Sequence, residues 1–275
     1  MSALEFAKNF FAELHRRNPL LSRMGWANLA LLFAAGAAAP FDPRTITGIN
    51  PWIKPMKFAA SVAIFVFTMG WLLEHVRRYR RTVSVVSWGV AVVFAVEQAC
   101  IFMQAARGTT SHFNVRSSAF NAAVFATMGL MIVVNTALVL VVLYLFFRRP
   151  VGDGPLAPAY LWGIRLGLVI FVAASLQGFA MTSQLAHTVG APDGGPGLPF
   201  LSWSTRAGDL RVAHSLGLHA LQVLPLVGFA FSRRGASERT HQVAYTVAFA
   251  ALYAAAFALL FWQAMLGRPL LALAD

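Results

Sequence analysis

The sequence predicts an all-α polytopic integral membrane protein. It is expected to form one membrane domain over residues 1–275, a bundle of seven transmembrane helices preceded by an N-terminal amphipathic interfacial helix. Three observations carry this. Hydrophobic residues make up 58% of the chain and charged residues 12%, about half the charged share usual in soluble domains, and mean hydropathy is +0.65. The apolar residues gather into seven runs, each near the ~20 residues that cross roughly 30 Å of hydrocarbon. Prolines and basic clusters punctuate these runs.

In order along the chain, residues 2–18 place Leu4, Ala7, Phe10, Phe11 and Leu14 on one helical face and Glu5, Lys8, Asn9 and Glu13 on the other. Ser2 followed by Glu5 has the spacing of a capping box. The segment lacks the basic-then-apolar order of a signal peptide, so it is expected to lie in the membrane interface until Pro19 ends it. Spans are expected at about 20–40, 56–76, 83–106, 118–147, 160–186, 209–231 and 241–266, with an extracytoplasmic loop at 187–208. Pro40, Pro43, Pro51 and Pro55 break the first connection, Pro150, Pro155 and Pro158 the fourth, and Pro192, Pro196 and Pro199 the fifth. Pro225 falls inside the sixth span, where it should kink the helix and free a carbonyl. The first and last spans carry few polar groups and much alanine, which suits close packing at the outside of a bundle.

The net charge of +12 sits in short clusters between apolar runs, which face anionic lipid headgroups rather than nucleic acid. Fourteen Lys and Arg fall on the N-terminal side, among them Arg77 to Arg81, Arg165, Arg233 and Arg234, against eight on the other. The expected placement is a bacterial-type inner (cell) membrane with the N-terminus cytoplasmic and the C-terminus extracytoplasmic. The one cysteine, Cys100, excludes an intramolecular disulfide and a Cys-based zinc motif. No lysine follows Lys57, which excludes a retinal Schiff base. The last span has only His241 at its margin, not the paired histidines that mark ceramidase-like hydrolases. No ring of like charges suggests a channel.

An ionisable group within hydrocarbon marks a functional site by default, and such groups fall on helical stripes. Span three carries Glu97, Cys100, Gln104 and Arg107; span six carries Arg211, Ser215, His219 and Gln222; span five carries Gln177, Gln184 and His187; span two carries Lys57, Ser61, Thr68 and His75; span four carries Asn121 and Asn135. Glu97, Gln177 and His219 share an estimated depth of ~15 Å from the outer end. The expected site is a polar pocket opening to the extracytoplasmic side. Glu97 and His219 form its catalytic floor, and His112, His187 and His214 its metal-ligating mouth. Lys57, Gln104, Arg107, Arg116, Asn121, Gln177, Trp203, Arg206, Asp209 and Arg211 line it as ligand-binding groups. Phe200, Leu201 and Trp203 are expected to fold over it as a lid. Each group also has a plain reading: Glu97 as a hydrogen-bonded helix lock, the histidines as isolated core residues, the arginines as lipid contacts.

Two functions fit this pattern. In one, neutral imidazoles hold haem or a transition metal in a membrane oxidoreductase acting on a small or lipophilic substrate. In the other, Glu97 and His219 relay a proton in a transporter or sensor whose basic rim draws a small anionic ligand. A structural or assembly role, with the stripes as packing glue, is the third alternative.

Overall fold

The computed structural model describes residues 2–151, 156–233 and 239–272. Arg234, one of the cytoplasmic-side basic residues named above, lies outside them. The chain divides into two compact units, Met1–Leu138 and Val139–Asp275.

The first unit opens with helix α1, Ala3–Arg17, whose capping box forms as the sequence implies. The Ser2 hydroxyl accepts from the Glu5 N–H, and the Glu5 carboxylate accepts from the Ser2 N–H. Asn18 then serves two helices. Its N–H closes α1 on the Leu14 carbonyl, while its side chain accepts from Leu21 at the start of α2, Pro19–Ala38. Pro19 thus also begins a helix, at the first position, where a missing N–H costs no hydrogen bond. The apolar face of α1 packs on the next helices, with Phe10 on Trp71 at 5.2 Å, Phe11 on Trp26 at 4.8 Å and the Arg17 guanidinium over Trp71 at 3.8 Å. Leu4 and Phe6 stay exposed.

Helix α3, Ile53–Leu73, a 3₁₀ segment, Glu74–Tyr79, and helix α4, Arg80–Ala106, follow without a break. The chain reverses where Val76 leaves helical geometry. Trp52 faces Phe102 and Phe65 faces Phe94 across the antiparallel pair, at 6.3 and 5.2 Å. Helix α3 starts ahead of Pro55 rather than after it, because the first turn has no intrahelical N–H bond to lose. Helix α5, Ala119–Arg148, starts in this unit and ends in the second. Its Val124 and Met128 close a core with Ile101, flanked by Phe58, Cys100 and Met103.

The second unit adds α6, Pro158–Gln184, α7, Leu210–Ser232, and α8, Arg239–Met265. Helix α6 stops where Leu185 turns left-handed, with φ 53°. Gly163 and Gly167 on α6 bring it against the α7 backbone: a Cβ on either would lie 2.4 Å from the Leu224 carbonyl or 2.7 Å from that of Ala220. The Pro225 ring sits against Gly167. Arg165, 5% exposed, caps the end of α5 by donating to the Phe146 and Arg149 carbonyls, and it lies over Phe147 and Trp162.

Among the described residues, six helical stretches are long and apolar enough to cross a membrane, the stretch Ile53–Ala106 counted as one. Large apolar side chains lie exposed along α5 and α8, Leu252, Leu259 and Trp262 among them. Hydrocarbon, not water, solvates such surface, and this is an all-α integral membrane protein.

Candidate functional site

The first unit holds a polar line on the buried face of α4. Glu97 is 2% exposed and its Oε1 is buried without a hydrogen-bond partner. Lys54 and Cys100 lie within its electrostatic reach. Lys54 Nζ lies 3.0 Å from His112 Nδ1. An ammonium has no acceptor, so Nδ1 accepts and the proton of the neutral ring is on Nε2. The Ser111 hydroxyl lies at the same nitrogen, 3.0 Å away, and the imidazole is set among Phe58, Phe113 and Phe125.

Toward the end of α4, Gln104 donates to Asn121 Oδ1 at 2.9 Å, and Arg107 donates to Gln104 Oε1 at 2.6 Å and to Asn121 Oδ1 at 3.0 Å. Asn121 in turn donates to Ser117, and the Arg107 guanidinium lies over Phe120 at 4.5 Å. These expected ligand-binding residues do meet, but they satisfy one another, tying the end of α4 to the start of α5. Lys57 is half-buried on α3 and Arg116 is exposed.

In the second unit the 185–209 loop is stapled by two carboxylates. Asp193 accepts from the His187 and Thr188 N–H groups, from the His187 ring at 2.7 Å and from the Thr188 hydroxyl at 2.8 Å. Asp209, 1% exposed, caps α7, accepts from the Ser204 N–H at 2.8 Å and takes the Arg211 guanidinium at 2.9 and 2.6 Å. Arg211 also donates to the Ser202 carbonyl. Thr188–Val189 (β1) and Gly208–Asp209 (β2) pair antiparallel and close the loop at its base.

His187, Asp209 and Arg211, expected at a binding mouth, are therefore held in the loop's own framework. Arg206 is exposed and Trp203 half-buried. The expected lid differs too: Phe200 and Leu201 are 51% and 39% exposed, with Phe200 in left-handed geometry, φ 60°.

Burial alone would raise the Asp193 pKa, but the His187 and Thr188 donors outweigh it and hold the carboxyl well below the usual range. A depressed carboxyl contributes stability that is fully present above its unfolded value, ~4, and lost as pH falls through the folded value. Limited proteolysis of the loop should rise as pH falls below ~4, where protonation of Asp193 releases its donors. Asp193→Ala should raise it already at neutral pH.

His214 donates from Nδ1 to the Ala174 carbonyl at 2.9 Å, its ring fitting over Gly178, where a Cβ would come within 3.0 Å. Gln177 donates to the Leu210 carbonyl at the 3.5 Å limit, and its Oε1 is buried without a partner. His219 is exposed and reaches Gln222 on its own helix at 3.3 Å. Glu97 and His219, expected to share a floor, belong to different units. Among the described residues, no three His, Cys, Asp or Glu side chains gather to hold a metal ion.

Sequence reasoning missed a second polar layer. Gln98 donates to Asn28 Oδ1, and Asn18 donates to the Ser87 hydroxyl at 2.8 Å, joining α4 to the first long apolar helix, expected to be poor in polar contacts. The signal was the run Asn18, Leu21, Ser22, Gly25, Asn28 at three- and four-residue steps, all on one buried face. Comparison with protein-family models, curated proteins and solved structures gave no match.

Proposed function

We propose that this chain is a seven-span protein of a bacterial-type cell membrane that exchanges a proton at Glu97 as it takes up a small anion from the extracytoplasmic side: a proton-coupled transporter. In this reading α3 and α4 each cross the bilayer, α1 lies in the cytoplasmic interface, and the 107–118 connection faces outward, as the basic-residue bias favours.

One observation carries it. Glu97 is almost fully buried with one carboxyl oxygen unpartnered, and the Lys54 ammonium acts on it from a pair with His112. Glu97 lies nine residues before Ala106, ~14 Å along the helix at 1.5 Å per residue. An ionised carboxylate there balances Lys54. When Glu97 takes a proton, that balance is lost and the cationic pair favours an incoming anion. Linkage makes the coupling reciprocal: an anion bound near Lys54 favours protonation of Glu97. Proton and anion then move together, with no redox change.

The test is proton uptake into dye-loaded proteoliposomes under an imposed pH gradient, the potential clamped, in chloride, nitrate or phosphate. Uptake should exceed that of protein-free vesicles in at least one salt and fall to their level in Glu97→Gln. Uptake equal to protein-free vesicles in all three, or unchanged in Glu97→Gln, would overturn the reading.

A second reading, a metal- or haem-dependent membrane oxidoreductase, is favoured by His214. Its Nδ1–H is fixed on a backbone carbonyl, which orients Nε2 as metal-bound histidines usually are. An absorption spectrum with elemental analysis decides it: a Soret band or stoichiometric metal would displace the transporter reading.

A further inference from the structure

We infer that the end of the second unit where α5 stops beside α6 binds the phosphate headgroup of an anionic phospholipid, with Arg165 and Arg148 as its cationic contacts. This site is independent of the proton exchange at Glu97.

The geometry is that of a buried cation without an anion. Among the described residues, Arg165 is the one buried Lys or Arg, 5% exposed. It stands seven residues into α6, where its guanidinium meets the last turn of α5. Nε donates to the Phe146 carbonyl at 3.1 Å and Nη2 to the Arg149 carbonyl at 2.5 Å. Nη1 has no hydrogen-bond partner among the described residues and is not sealed from the surroundings. The Phe147 and Trp162 ring centres lie 5.3 and 5.1 Å from the guanidinium carbon. No carboxylate joins them: the described acids of this unit are Asp193 and Asp209, both in the loop beyond the other end of α6. Arg148, the exposed last residue of α5, brings a second guanidinium, 5.8 Å from the Tyr144 ring centre.

A buried charge left unpaired is strongly destabilising. The α5 carbonyls offset part of that cost, because a helix C-terminus carries the equivalent of about half a negative charge. Two guanidiniums against that half-charge leave a positive site, which an anion completes. A guanidinium suits phosphate because its planar N–H fork meets two oxygens at once. A ring against the guanidinium face leaves that N–H edge to the anion. The surface leading to the site says which phosphate. Leu140, Tyr144 and Phe147 recur at helical steps on α5 and are 45%, 58% and 48% exposed, so they form one stripe for acyl chains that ends beside Arg148. Tyr144 and Trp162 also have the rings that favour headgroup depth. A phospholipid uses both the stripe and the guanidiniums, as in other basic pockets between spanning helices. A soluble phosphate would use only the guanidiniums.

The test is native mass spectrometry of the full-length protein, titrated in detergent with dioleoyl phosphatidylglycerol or dioleoyl phosphatidylcholine. It reads the affinity for the first lipid bound. The wild type should prefer phosphatidylglycerol by about tenfold, equivalent to ~1.4 kcal/mol. Arg165→Gln should remove this preference. Arg148→Gln keeps the Arg165 bonds to α5, should lower the preference several-fold, and serves if Arg165→Gln does not fold. Arg233 is exposed over the Phe229 ring at the end of α7, so Arg233→Gln makes the same change of charge away from the site and should leave the preference intact. Excess inorganic phosphate should not displace the lipid. Four results would overturn the site: equal binding of the two lipids, a preference unchanged in Arg148→Gln, an equal loss in Arg233→Gln, which means diffuse attraction, or displacement by inorganic phosphate, which means a site for a soluble anion.

Discussion

Asp209→Ala is expected to destabilise the second unit by about 3 kcal/mol, with helix α7 fraying from its first turn. The carboxylate has no exposed surface and carries three tasks. It caps α7 through the Arg211 N–H, fastens the loop through the Ser204 N–H, and holds the Arg211 guanidinium with two bonds. Its removal leaves a helix end uncapped and a cation, 27% exposed, without its counter-ion. Asp209→Asn keeps one acceptor oxygen and should recover roughly half of the loss, since a charge-assisted bond is about twice as strong as a neutral one. Unfolding in denaturing detergent, followed by circular dichroism, measures both. A loss below about 1 kcal/mol, the value of an ordinary cap, would show that the Arg211 pair contributes nothing.

Gly163→Ala should cost about 3 kcal/mol, at the upper end for overpacking, because the obstacle is backbone. The added methyl would lie 2.4 Å from the Leu224 carbonyl oxygen and 3.0 Å from its carbon, and no side-chain rotation relieves that contact. Helices α6 and α7 would have to separate, loosening the contacts of Ile170 with Ala220 and Leu224. Gly129→Ala, where a Cβ meets nothing within 4 Å, is the matched control and should be neutral or slightly stabilising. The same unfolding assay compares them, and equal stabilities would mean that this helix pair is less closely packed than described.

Much of the fold was legible because hydrocarbon imposes a simple rule: long apolar runs become helices whose ends fall near prolines and basic clusters. The glycine contacts were not. Gly163 and Gly167 stand four apart on one face, the spacing of close helix pairs in membranes, yet nothing in one helix names its partner, Ala220 to Pro225.

The candidate site was legible in part. Glu97, Gln104 and Arg107 recur at helical steps, and the structure puts Glu97 and Gln104 on the buried face of α4. Whether a polar residue is free for a ligand depends on how many hydrogen bonds its neighbours already supply, a property of three dimensions. Asp209, Arg211 and His187 have the composition of a binding site and the bonding of a staple. Asn28 and Gln98 escaped notice because, uncharged, they raise no alarm in an apolar run.

The proton exchange at Glu97 is tested most directly by infrared difference spectroscopy of the protein in bilayers as pH is varied. A carboxyl band that appears and disappears reversibly with pH, sits at the frequency of a buried acid, and is missing in Glu97→Gln is the expected result. A wild-type spectrum without such a band, or one whose band survives unchanged in Glu97→Gln, would contradict the assignment of Glu97 as the proton site.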